Sequence, residues 1–142
     1  MVRKIKGFSL IELLVVIVIM AILLGIGIPM ILGWIKKTKI REDTEKIYSL
    51  IQYGRQKAFT EKINMEVSLG DKEMCLKNSE NGLNVKCVSL NYTWQTNKTI
   101  TVSKRGILSN GTVYYPYENS SPYDCVKTSI TSIKMDKCNG NP

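Results

Sequence analysis

Polarity divides this chain abruptly. From Leu13 to Ile35 no residue carries a charge, and Leu, Ile and Val dominate the run. At about 1.5 Å per residue such a helix crosses a bilayer core of about 30 Å. After Ile35 the character turns mixed, and Ile40, Thr44, Ile47, Ile51, Gly54 and Ala58 recur at alternating spacings of four and three. That spacing is one stripe of an amphipathic helix, predicted to be the face on which a globular domain docks. Arg41, Glu42, Glu45, Lys46, Arg55 and Lys57 fall on the other faces, with Arg41 and Glu45 placed to pair across one turn. Phe8 to about Phe59 therefore reads as a single helix of roughly 75 Å, whose first half requires a membrane or a filament.

Beyond Ile63 the pattern becomes short strands separated by turn residues. Glu66 to Leu69 and Glu73 to Lys77 flank Gly70-Asp71-Lys72, a hairpin signal. Asn84 to Leu90, Thr99 to Ser103, Thr112 to Tyr117 and Cys125 to Lys134 are further expected strands, punctuated by Asn81-Gly82, Asn110-Gly111, Pro116 and Pro122. A long helix followed by antiparallel strands is an α+β arrangement.

About a hundred residues remain for one small soluble domain, a size at which staples matter. Cys75, Cys87, Cys125 and Cys138 suit that need. An even count outside the membrane points to two disulfides; loop closure favours Cys75 with Cys87 and Cys125 with Cys138, although all three pairings stay open. Free thiols are the main alternative. Zinc is weaker, because the chain has no Cys-x-x-Cys pair and no histidine. The formal charge is +8, from 20 Lys and Arg against 12 Asp and Glu, and Arg3, Lys4 and Lys6 precede the apolar run. This balance suits an anionic partner but is also an ordinary route to solubility. No paired carboxylates, nucleophile with a matched base, or phosphate-binding glycine loop can be assembled, so an enzyme is not expected, nor a catalytic residue, cofactor or metal site.

Basic residues ahead of the apolar run hold the N-terminus in the cytoplasm. Lys36, Lys37, Lys39 and Arg41 on the far side would argue the reverse by count, but a long folded domain follows them and translocates largely regardless of charge. Glu12 is the unusual residue: a carboxylate just inside an apolar segment either snorkels to the interface or has a partner. A conventional secretory signal cut after Gly25-Ile26-Gly27, releasing a domain that starts at Ile28, is the competing reading. The glutamate and the continued hydrophobicity to Ile35 oppose it.

The string Lys6-Gly7-Phe8-Ser9-Leu10-Ile11-Glu12-Leu13-Leu14 resembles the processing site of type IV pilins and type II secretion pseudopilins. The resemblance implies a pilin-like fold, one long N-terminal helix with a transmembrane first half packed on a small antiparallel β-sheet domain. It implies cleavage by a prepilin peptidase between Gly7 and Phe8, N-methylation of Phe8, and a carboxylate at Glu12 that neutralises the terminal amine of a neighbouring subunit. Such a pair selects register, since a misplaced subunit leaves both charges unpaired. Pro29, with Gly25, Gly27 and Gly33 nearby, is expected to kink or loosen the helix, and the resemblance, since pilins commonly carry a proline at this depth, implies a segment that melts as subunits pack into a filament.

The corresponding division is a leader over 1–7, a transmembrane or filament-core half over 8–35, an amphipathic half over 36–62 and a β-rich domain over 63–142. The implied partners are other pilin subunits, the prepilin peptidase and an assembly platform protein. The implied location is the cytoplasmic (inner) membrane as a single pass, then an extracellular pilus or a periplasmic pseudopilus. More loosely, Arg55 to Ala58, Val102 to Gly106 and a final strand from Ser129 to Met135 are similar to H-type pseudopilins and FimT-like minor pilins. The Gly-Arg-x-Arg element of the DNA-binding FimT-like proteins is missing from the stretch Ile130 to Lys137. The alternative of a DNA-binding minor pilin acting in competence would rest on Lys104, Arg105, Lys127, Lys134 and Lys137, with Tyr114, Tyr115, Tyr117 and Tyr123 available for stacking.

Overall fold

The computed structural model describes residues 8–141, the side chains at positions 26, 27 and 29 excepted. Helix α1 covers Leu10–Glu61. The chain separates into two compact units, residues 1–36 and 37–142. In the first, the backbone carbonyl of Ser9 accepts from the amides of Glu12 and Leu13 and so opens the helix. Among the described residues its Leu, Ile, Val and Met side chains stand exposed, and by length and composition the helix can cross a membrane. The helical assignment runs through position 29, while the kink expected there concerns a side chain outside the described residues.

The second unit is built on the polar-flanked half of α1. Ile40, Thr44, Ile47, Ile51, Gly54 and Ala58 are all buried, as the stripe predicts, and Leu50 joins them. Opposite lie eight strands: β1 (Met65–Leu69), β2 (Glu73–Asn78), β3 (Asn84–Ser89), β4 (Gln95–Thr96), β5 (Thr101–Val102), β6 (Gly111–Tyr114), β7 (Cys125–Thr128) and β8 (Ile133–Asp136). They form two four-stranded sheets of order β3-β2-β1-β5 and β4-β6-β7-β8, with every pairing antiparallel.

The register fixes which side faces the helix. Val67 opposes Leu76 and Leu69 opposes Met74 in the first sheet, and Val113 opposes Val126, which opposes Met135, in the second. These residues join the helical stripe, Trp94 and Tyr115 in one core. Gly54 lets β2 approach, since a Cβ there would lie 2.9 Å from Leu76 Cδ2. The other face of the first sheet carries Cys75 directly opposite Cys87, and the two are bonded. Cys125 at the start of β7 is bonded to Cys138 beyond β8.

Three strand expectations need correction. The run from Cys125 to Lys134 is not one strand, and the last strand does not begin at Ser129: the chain reverses at Ser129–Ser132 between β7 and β8. The amide of Ser129 donates to the carbonyl of Ser132 and the two hydroxyls hydrogen-bond at 2.7 Å, so serine side chains close a turn that has neither glycine nor proline. The strand expected over Thr112 to Tyr117 stops at Tyr114, short of Pro116. The segment around residue 95 pairs with β6 as the short strand β4, which carried no alternation long enough to read.

Candidate functional site

The N-terminal determinants come first in the chain. Gly7 lies outside the described residues. Phe8 is exposed, and Glu12 is the only charged residue between Phe8 and Ile35. It sits exposed in the first turn of α1 with apolar neighbours on every side in sequence. A carboxylate there is favoured by the positive end of the helix dipole. Its larger requirement arises when the surrounding side chains are covered by lipid or by other helices, because an unpaired buried charge is costly.

In the folded domain, α1 is tied to the loops between strands by polar contacts at both ends of its buried stripe. Near the start, Asp43 is fully buried and accepts from the Asn91 amide at 2.9 Å, Asn91 Nδ2 at 2.8 Å, the Tyr92 amide at 3.1 Å and Trp94 Nε1 at 3.3 Å. Thr44 Oγ1 bridges to the carbonyl of Tyr123. Near the end, Arg55 donates from Nε to the carbonyl of Gly106 and from Nη1 to that of Thr131, each at 3.0 Å. A second buried carboxylate, Asp124, accepts from the amides of Cys138 and Asn139 and from Asn119 Nδ2, fixing the segment that the Cys125–Cys138 bond closes.

Sequence reasoning missed Asp43 and Asp124. Helical phase held the signal for Asp43: it lies three residues after Ile40 and four before Ile47, so it belongs inside the stripe. Asp124 follows irregular chain and had no such periodicity to reveal it.

The basic residues separate into two groups. Lys104 and Arg105 occupy the tip of a tight turn closed by the Gly106 amide donating to the Ser103 carbonyl at 2.8 Å, with Gly106 at φ 75°. Such a conformation suits glycine. Lys127 and Lys134 are cross-strand neighbours on the second sheet, followed by Lys137. Lys127 Nζ is 3.0 Å from Asp136, a bond that, with the Lys137 amide, holds the Asp136 carboxyl below its ordinary range. The tyrosines mostly pack: Tyr115 is buried between Tyr92, Trp94 and Tyr117, and burial raises its hydroxyl above the usual value.

A family model described as the prokaryotic N-terminal methylation motif matches residues 2–28. The fold is similar to that of the Pseudomonas aeruginosa PAO1 type IV minor pilin FimU in two crystal forms. One match has a TM-score of 0.56 at 11% identity, covering 73% of this chain and 92% of that one. The other has a TM-score of 0.53 at 12% identity, covering 68% and 92%. This chain carries a prepilin methylation motif on a type IV pilin fold. Compared with curated proteins by sequence, the chain matches none. As in pilins, a long N-terminal helix packs on antiparallel sheets, and the apolar N-terminal segment with its methylation motif fits a membrane-anchored chain of pilin fold.

Proposed function

We propose that this pilin-fold chain is a structural subunit, of the minor kind, in a type IV pilus or type II secretion pseudopilus. The observation that carries the reading is the apolar run of residues 10–35, broken in sequence only by Glu12, whose described side chains stand exposed on the single chain. A surface of this length needs lipid in one state and neighbouring helices in another. The chain is stored as a single pass in the cytoplasmic membrane with its N-terminus in the cytoplasm. The prepilin peptidase cuts after Gly7, and Phe8 supplies a methylated amine. An assembly platform then moves the subunit out of the membrane into the filament, where Glu12 pairs with the Phe8 amine of a neighbour and sets axial register. Pro29 and its glycines give the apolar half the freedom to loosen as subunits pack. The four segments 1–7, 8–35, 36–62 and 63–142 serve as leader, filament core, docking helix and exposed domain. Similarity to a minor pilin supports the minor role.

Intact mass and N-terminal sequencing of the chain from its own membranes test the processing step. A mature protein beginning at N-methylated Phe8 is expected. A terminus at Ile28 would overturn the reading, since a secretory peptidase would then have removed the helix that builds the filament.

A further inference from the structure

We propose that Asn139, in the turn over residues 138–141, is a site of spontaneous covalent modification, where it converts to aspartate and isoaspartate. The Gly140 backbone nitrogen attacks the side-chain carbonyl carbon of Asn139, and its proton leaves with the side-chain nitrogen as ammonia. Water then opens the resulting five-membered imide at either carbonyl, so no oxidant or other co-reactant is consumed. Glycine in the following position favours the ring, because no Cβ hinders the attacking nitrogen. The chain has three such steps, Asn81-Gly82, Asn110-Gly111 and Asn139-Gly140. The fold holds the first two shut. At Asn81, Oδ1 accepts from the Leu83 amide at 3.0 Å and the Gly82 amide donates to the Asn78 carbonyl at 2.9 Å. After Asn110, Gly111 is buried at the start of β6, opposite Thr128. The Tyr115 amide donates to the Asp124 carbonyl, and alternation down the ladder from there makes Gly111 and Thr128 a hydrogen-bonded pair. A Cβ on Gly111 would lie 2.9 Å from Ile100 Cγ1, so this backbone has no room to swing.

Asn139 differs on each count. It is exposed at φ 50°, and Gly140 follows at φ 79°. With the Asn141 amide donating to the Cys138 carbonyl at 3.1 Å, the segment is a turn with positive φ at both central residues. Among the described residues neither the Gly140 amide nor the Asn139 side chain makes a hydrogen bond, so both reacting groups are free. The product matters because of what the turn holds. The Asn139 amide donates to Asp124 Oδ2 at 3.0 Å, and Asp124 is fully buried. Modification puts a second carboxylate on the very residue whose amide Asp124 accepts, a like charge that disfavours both ionised groups. Isoaspartate also lengthens the main chain between the two central residues, inside the bond that closes the turn. There Gly140 packs closely, since a Cβ on it would lie 3.0 Å from the Pro116 carbonyl oxygen. The conversion thus loosens the 138–141 turn from Asp124 as the protein ages. It is independent of filament assembly and requires only the folded domain.

The test ages the full chain in neutral detergent at mildly alkaline pH and follows its peptides by mass and chromatography. The peptide bearing Asn139 is expected to convert to two products of identical mass. It should do so about tenfold faster than those bearing Asn81 and Asn110, where a hydrogen bond must break before the amide can attack. In the reduced chain held in denaturant all three sites should convert at similar rates, which separates selection by the fold from the sequence alone. Asn139→Asp reproduces the new charge without the added carbon and should lower the unfolding midpoint at neutral pH. Conversion of Asn81 or Asn110 ahead of Asn139 in the folded chain, equal rates at all three, or an intact Asn139 under conditions where the denatured chain reacts would each overturn the proposal. An Asn139→Asp chain with the midpoint of wild type would overturn the coupling to Asp124.

Discussion

Asp43 offers the sharpest test of how α1 is locked to its domain. Its carboxylate is fully buried, forms no salt bridge among the described residues and accepts from donors of residues 91, 92 and 94. Asp43→Ala removes the acceptor and strands those donors. The Trp94 indole N–H suffers most, because Trp94 is 2% exposed, whereas the half-buried Asn91 and Tyr92 amides can regain water. Each unsatisfied buried donor costs about 1–3 kcal/mol, and relief of the buried charge offsets part of the total. A net loss of about 3 kcal/mol is expected, enough to lower the Tm of a domain this size by more than about 10 °C.

Denaturant unfolding followed by Trp94 fluorescence, in a Trp34→Phe background, reads the loss directly. A double-mutant cycle with Asn91→Ala should show a coupling of about 1 kcal/mol or more. Asp43→Asn keeps one acceptor oxygen and should fall between wild type and alanine. An alanine variant within about 0.5 kcal/mol of wild type would refute the view that this carboxylate fastens the helix to the 91–94 loop.

Other outcomes follow from the same contacts. Replacing Cys125 and Cys138 by alanine should cost about 2–4 kcal/mol, measured by the unfolding midpoint, and non-reducing peptide maps should join Cys75 to Cys87 and Cys125 to Cys138. Gly54→Val places new carbon atoms against Leu76 and should destabilise by about 1–3 kcal/mol in the same assay. The Asp136 carboxyl should titrate below its ordinary 3.8 by carboxyl NMR and move back toward it in Lys127→Ala. Because the folded value is the lower one, the stability this pair contributes is present above the ordinary value and is lost as pH falls through the lowered one.

Features carried by local pattern were legible in the sequence. The buried stripe of α1 repeats within one turn, the β1–β2 hairpin announces itself at Gly70-Asp71-Lys72, and the prepilin motif occupies a few adjacent residues. The reversal at Ser129–Ser132 was not legible, since hydroxyl bonds replace the usual turn residues. Nor was the meeting of Phe59 with Arg105, which is a product of tertiary packing around Arg55 and Gly106. Of the five basic residues considered for DNA contact, Lys104 and Arg105 lie in the turn after β5, whereas Lys127 and Lys134 lie on β7 and β8 with Lys137 just beyond, a placement set by strand register that charge in the sequence does not carry.

In the proposed role Glu12 directs assembly into a filament. Glu12→Leu, expressed as the sole copy, removes a charge from an apolar helix and should make membrane insertion easier while leaving processing and the folded domain intact. Immunoblots of membrane and sheared-filament fractions decide the matter. Wild-type amounts in the membrane with loss from the filament fraction are expected; entry into filaments at the wild-type ratio would contradict the register role and leave Glu12 as a residue that merely reaches the interface.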